Sequence, residues 1–143
     1  MKVKFKRLYP EATIPTKATE GSAAYDLYSV ETAYIPAGEM VTIGTGLSLE
    51  IPKGWKGEIY SRSGFASKGI VVANSPGKID SDYRGEIQVL LHNIRNQDMA
   101  AIGPGERIAQ LELNPVYDIE FEEVVDLSTT ERGDMGFGST GYH

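Results

Sequence analysis

The 143 residues contain no cysteine. Disulfides, thiolate zinc sites, iron–sulfur clusters and cysteine nucleophiles are therefore excluded. Histidine is nearly as scarce. His92 and His143 are the only two, too few for a histidine-rich metal site. No apolar run approaches the length that crosses a bilayer. The N-terminus, Met1-Lys2-Val3-Lys4-Phe5-Lys6-Arg7, is basic but lacks the apolar stretch and cleavage site of a signal peptide. The expectation is a soluble cytoplasmic protein, or one in the host cytoplasm if the source is viral. Basic charge is in deficit as well, 14 Lys and Arg against 20 Asp and Glu, for a net charge of −6. Duplex-binding domains carry a basic surplus, which argues against polymeric nucleic acid. Small anions stay open, because local arginines and a bound cation can reverse the field at a site.

Apolar residues make up 41% of the chain and charged residues 24%, as in ordinary globular domains. A compact chain of 15.6 kDa leaves roughly 7,000 Å² exposed and buries about two thirds of its surface. That supports one domain with a real core. Helical periodicity is scarce. Strand-like segments recur at Met40–Ile43, Gly46–Ile51, Trp55–Tyr60, Gly69–Ala73, Glu86–His92, Arg107–Leu113 and Tyr117–Val125. Pro36-Ala37-Gly38, Pro52-Lys53-Gly54, Pro76-Gly77 and Gly103-Pro104-Gly105 punctuate them. Proline presets φ and glycine supplies positive φ, so each marks a turn. Short strands at this spacing predict an all-β sandwich, jelly roll or barrel. One short helix is expected near Ser63–Lys68, with a serine capping its first turn.

Six segments could carry chemistry. Gly77 to Glu86 is the densest in polar groups. Its Asp80 and Asp82 could bind a cation or supply a general base, or simply close an Asx turn. Ser61-Arg62-Ser63-Gly64 places hydroxyls and a guanidinium at a helix start, which suits a phosphate or ordinary capping. Gln110 is an amide inside the apolar segment Arg107-Ile108-Ala109-Gln110-Leu111, and Asp26 is an acid in Ala24-Tyr25-Asp26-Leu27. Asn74, before Ser75-Pro76-Gly77, offers a donor and an acceptor that could read a pyrimidine edge. The end of the chain, Arg132-Gly133-Asp134-Met135-Gly136-Phe137-Gly138-Ser139-Thr140-Gly141, cannot pack a core. It is either a frayed tail or a flap whose N–H groups, hydroxyls and arginine close on an anion. Gly-x-Ser-x-Gly is absent, so a serine acyl nucleophile is not expected.

Taken in order, these segments resemble the trimeric dUTP pyrophosphatases, or dUTPases, from Ala24 to Gly141. The resemblance implies a jelly-roll-like β-barrel over 1–131 with a flexible glycine-rich C-terminal tail over 132–143. It implies a homotrimer with shared active sites, and hydrolysis of dUTP to dUMP and pyrophosphate with Mg²⁺. That reaction limits uracil in DNA and supplies dUMP for thymidylate synthesis. In the family's pattern Asp80 looks like the base that activates water and faces the 3′-hydroxyl. Tyr83 looks like the ring under the deoxyribose, and Asn74 with the backbone of Lys78, Ile79 and Asp80 resembles the uracil-reading hairpin. Arg62, Ser63, Gly64 and Gln110 resemble phosphate contacts, Gln110 counted with the catalytic set, and Gln88 falls at another substrate contact. Asp26 looks like the acid that holds water on a Mg²⁺ carried mainly by the phosphates. Arg132, Phe137, Gly138, Ser139 and Thr140 resemble the closing tail. Lys78 stands where a small or apolar residue is frequent. Asp134 and Met135 replace a small residue and a glycine. Two other activities fit the scaffold: a dCTP deaminase-like enzyme, with a different acid–base set, and a non-catalytic nucleotide-sensing regulator.

Overall fold

The computed structural model describes residues 1–138, 140 and 141. The strands are β1 (Lys4–Arg7), β2 (Tyr25–Tyr28), β3 (Ala33–Ile35), β4 (Met40–Glu50), β5 (Trp55–Tyr60), β6 (Ile70–Val72), β7 (Gly77–Ile79), β8 (Glu86–Asn93), β9 (Ala100–Ile102) and β10 (Arg107–Pro115). One short helix, α1 (Ser63–Ala66), follows β5. The strands form two four-stranded sheets, ordered β1-β4-β8-β6 and β2-β10-β5-β7, and a ribbon of β3 with β9. Every pairing is antiparallel. The architecture is the expected all-β, jelly-roll-like one.

Alternation along the strands builds the core. On β8, Ile87, Val89 and Leu91 are buried, whereas Gln88 is exposed and Leu90 and His92 are half-buried. Ile43 and Leu49 of β4, Ile59 of β5, and Ile108 and Leu111 of β10 meet them in one cluster. Each such side chain contributes about 1.5–3 kcal/mol by leaving water. Truncating Ile108, which is fully buried, to alanine costs about 2–5 kcal/mol.

The segments expected at Met40–Ile43 and Gly46–Ile51 are one strand with a bulge. The β4–β8 register breaks between Gly44 and Ser48, and Gly46 has φ +71° with no room for a β-carbon against Ala12. The Glu86 carboxylate accepts the freed Gly46 N–H at 2.9 Å. The helix is shorter than expected, and serine does not cap it. Arg62 occupies the N-cap position without a side-chain bond.

Tyr117–Val125, expected as a strand, is not one in this chain. Residues 116–138, 140 and 141 are all exposed, Phe121 by 90% and Val125 by 99%. Its alternating apolar residues join no sheet edge of their own chain. Total exposed surface is 10087 Å², against the roughly 7,000 Å² of a compact chain of this mass. The extended C-terminal arm accounts for much of that excess.

Candidate active site

A cavity of about 250 Å³ opens between β7 and β8 and is lined by Asn74, Gly77, Asp80, Tyr83, Glu86 and Gln88, among others. β7 is the last strand of its sheet, so one edge keeps unpaired N–H and C=O groups. That edge is the kind of surface that reads a flat hydrogen-bonding ring. The Asn74 amide stands beside Gly77, its Nδ2 3.2 Å from where a β-carbon at 77 would be. Glycine there leaves the amide its place at the mouth of the hairpin. Asp80 follows β7 directly and is exposed. The Tyr83 N–H donates to the Asp80 carbonyl at 3.1 Å, and the Tyr83 hydroxyl donates to the Glu86 carbonyl at 2.9 Å. Both bonds fix the ring beside the pocket.

The Lys78 side chain turns away from these groups. Its Nζ bonds Glu58 Oε2 at 3.1 Å, which leaves its backbone, with that of Ile79, as the part available to a ligand. The Ile79 side chain itself is buried in the core.

A second cluster sits at the other end of the sheet. Asp26, only 3% exposed, lies on β2 opposite Gln110 of β10, and Gln110 lies opposite Tyr60 of β5. Arg62 Nε is 3.4 Å from one Asp26 oxygen and Arg107 Nε 3.7 Å from the other. Arg62 also donates to the Arg107 carbonyl at 3.1 Å. A buried carboxylate is thus held between two guanidinium groups, which fix their forks beside the exposed Ser63 and Gly64. The first turn of a helix has N–H groups without intrahelical partners. Together they form a cationic, donor-rich surface that suits phosphate.

Among the described residues no group of three His, Asp or Glu side chains could hold a metal ion. The described residues therefore offer no cage of their own. Asp26, one buried carboxylate beside a donor-rich surface, is compatible with Mg²⁺, which keeps several waters and takes its other oxygens from phosphates.

The two clusters do not meet within one chain. Ile79 pairs with Gly57, whereas Gln110 pairs with Tyr60, so Asp80 lies about 13 Å of strand from the Gln110 row. None of Asp26, Arg62, Ser63, Gly64 or Gln110 lines the Asp80 cavity. Nor do the described residues of the tail reach either cluster. Arg132 Nε donates to the Met135 carbonyl at 2.8 Å, and the Gly133 N–H donates to Thr130. Phe137 is fully exposed. Gly138, with φ +76°, and Thr140 lie in turns beyond it; Ser139 is outside the described residues.

Two residues gain importance only in three dimensions. Arg107 completes the clasp on Asp26, and Glu58 gathers Lys78, Tyr60 and Asn114. Alternation places Lys56, Glu58 and Tyr60 on one polar face of β5, but only the sheet order shows what that face meets.

The family model described as dUTPase matches residues 10–141. The deoxyuridine 5′-triphosphate nucleotidohydrolase of Nautilia profundicola is 53% identical over 142 residues, 99% of each chain. The protein of the same name from Hydrogenobaculum is 46% identical over 143 residues, again 99% of each. Among solved structures, a mutant dUTPase of Staphylococcus bacteriophage 80alpha with dUpNHpp superposes with a TM-score of 0.90, at 30% identity and 99% coverage of both chains. A mutant dUTPase of phage phi11 of S. aureus, described with a structural Mg(II) ion, superposes at 0.80 with 26% identity, covering 88% of this chain and 98% of that one.

Proposed function

The chain belongs to the dUTPase family and hydrolyses dUTP; we propose that it does so at a site completed by a second copy of itself. The observation that carries this reading is the separation of Asp80 from Asp26, Arg62 and Gln110 across one sheet. A triphosphate must touch the base-reading hairpin and the phosphate donors together. Within one chain the phosphate donors do not line the Asp80 cavity, whereas a second copy in a closed ring can bring its own donors to it.

In this reading uracil pairs along the free edge of β7 and with the Asn74 amide. A close backbone leaves no space for a 5-methyl group. The deoxyribose rests on Tyr83, which excludes a 2′-hydroxyl. Gln88, at the cavity wall, adds a further contact. Arg62, Gln110 and the N–H groups of Ser63 and Gly64, from the neighbouring copy, hold the phosphates. Asp80 takes a proton from water as that water attacks the α-phosphorus. The bond from the α-phosphorus to the oxygen bridging to the β-phosphorus breaks, and pyrophosphate leaves in line. Positioning and charge neutralisation supply most of the rate in such transfers. A Mg²⁺ ion would be held mainly by the phosphates, with Asp26 accepting a hydrogen bond from its water, and would supply positive charge against the departing pyrophosphate. Arg132, Phe137, Gly138, Ser139 and Thr140 close over the nucleotide as a tail, 132–143, distinct from the domain over 1–131.

The exposed arm supports a homotrimer. Tyr117, Ile119 and Phe121 alternate in the manner of a strand and are 70–90% exposed. A groove of about 770 Å³, lined in part by Val3, Phe5, Ile14 and Leu113 together with Lys17 and Glu112, offers apolar and charged contacts to the arm of a neighbour. No helix of the described residues is long and apolar enough to cross a membrane. We place the enzyme in the cytoplasm, acting on free dUTP rather than on a nucleic-acid polymer.

Pyrophosphate release measured with dUTP, dTTP, dCTP and UTP in the presence of Mg²⁺ tests the reading. Turnover confined to dUTP is expected. Turnover of dTTP or UTP at a similar rate would contradict the hairpin and Tyr83 assignments. An Asp80→Asn chain is expected to keep its fold and lose about 10²–10⁴-fold in turnover.

A further inference from the structure

On the outer face of sheet β2-β10-β5-β7 lies a polar network that the reaction as described does not use. Its centre is Glu58, 6% exposed. One carboxylate oxygen accepts from Lys78 Nζ at 3.1 Å and from the Tyr60 hydroxyl at 2.9 Å. The other accepts from Asn114 Nδ2 at 3.1 Å and lies 3.5 Å from Lys56 Nζ. Glu58 and Lys78 face each other directly in the β5–β7 register.

The position of that pair matters because β7 is poorly fastened. It is three residues long, sits at the sheet edge and pairs only with β5. Two ties besides its short ladder hold it: the buried Ile79 side chain and the bond from Lys78 to Glu58. Asp80 is the next residue along. A short edge strand can slide or lift with little loss of backbone bonding, and any such shift moves Asp80 with it.

We propose that Glu58 is a positioning residue for dUTP hydrolysis, which through Lys78 pins the edge strand that carries Asp80. This rests on the assignment of Asp80 as the base. Glu58 is well suited because its other oxygen is fixed by Asn114 on β10 and by Lys56. The anchor is therefore part of the sheet interior rather than a loose surface side chain. Lys78 is the weaker half, its side chain 54% exposed, and its removal leaves Glu58 with three remaining partners.

The test is steady-state kinetics on the assembled enzyme with dUTP and Mg²⁺, for Lys78→Met, Lys78→Arg, Glu58→Gln and the double variant Glu58→Gln/Lys78→Met. Misplacement of a reacting group by a fraction of an ångström costs about tenfold in kcat, and that loss is expected in Lys78→Met with KM changed less than about twofold. Lys78→Arg is expected to recover most of the rate. The double variant is expected to be no slower than the slower single, since both remove one link. Unchanged kcat in a folded Lys78→Met protein would overturn the proposal. So would a KM rise in Lys78→Met that Glu58→Gln does not share, because Lys78 would then be a direct ligand contact. Asp80→Asn, run alongside, separates the two readings. If it retains turnover, the assignment of the base fails, whatever the Lys78 variants do.

Discussion

The ring of Tyr83 lies against Gly85, so that a β-carbon at position 85 would stand 2.6 Å from Tyr83 Cζ and 2.9 Å from its Cε1. A side chain there would have to push the ring aside and strain its bond to the Glu86 carbonyl. Glycine at 85 therefore leaves the Tyr83 ring in the place proposed for it under the sugar. Gly85→Ala is expected to lower kcat/KM for dUTP by about tenfold or more, as displacements of this size do. It should also raise the ratio of UTP to dUTP turnover, because the 2′-hydroxyl filter is the part displaced. The two specificity constants measured side by side check this. An unchanged ratio would remove Tyr83 from the sugar site.

The Glu58 carboxyl is held down to about 2 from its ordinary 4.5, first by the Lys78 bond, then by Tyr60 and Asn114 and the charge of Lys56, with burial opposing them. The same carboxylate pushes the Tyr60 phenol up. Glu112 faces Glu58 across the β5–β10 ladder, a like charge that Asn114 bridges with a bond to each. A folded pKa below the unfolded one stabilises the fold above the unfolded value, and that stability is lost as pH falls through the folded value. Urea unfolding of wild type should weaken between pH 4.5 and about 2 more steeply than that of Glu58→Gln. Parallel curves for the two proteins would mean that the network does not hold Glu58 ionised in solution.

Phe121 touches almost nothing of its own chain, at 90% exposed. Phe121→Asp should leave the isolated fold intact and weaken association, because in the proposed homotrimer the aromatic ring packs on a neighbour. Light scattering should report a fall from about three chain masses toward one at micromolar concentration, as expected when a closed ring loses its interface. A trimer as tight as wild type would show that the arm is not what joins the subunits.

Much of this was legible from residue order. Alternation of Leu47, Leu49 and Ile51, the strand-like runs Glu86–His92 and Arg107–Leu113, and paired Pro and Gly between segments point to strands and turns that the structure contains. Asn74, Asp80 and Tyr83, close in sequence, do line one cavity. β1, β3, β7 and β9 escape a reading of the sequence because they are three or four residues long, too short for a period of two to stand out. The segment Tyr117–Val125 has the strand pattern, but a pattern cannot say whether the partner edge belongs to the same chain. For the same reason the distance between Asp80 and Gln110 was invisible. It depends on Ile79 and Gln110 meeting β5 at different rows, which is a matter of register. The Glu58–Lys78 bond likewise joins residues twenty positions apart through a pairing that no local spacing reveals.

The central claim is that catalysis needs Asp80 from one copy and Arg62 from another. Chains carrying Asp80→Asn and chains carrying Arg62→Ala, each nearly inactive alone, are unfolded together in equal amounts and refolded. If sites form between neighbours around a ring, about a quarter of them pair an intact Asp80 with an intact Arg62. Pyrophosphate release from dUTP should then return to about a quarter of wild type, and only in the co-refolded sample. If each site is built within one chain, every chain keeps its own defect, and activity no higher than in the separately refolded mixture would contradict the shared site.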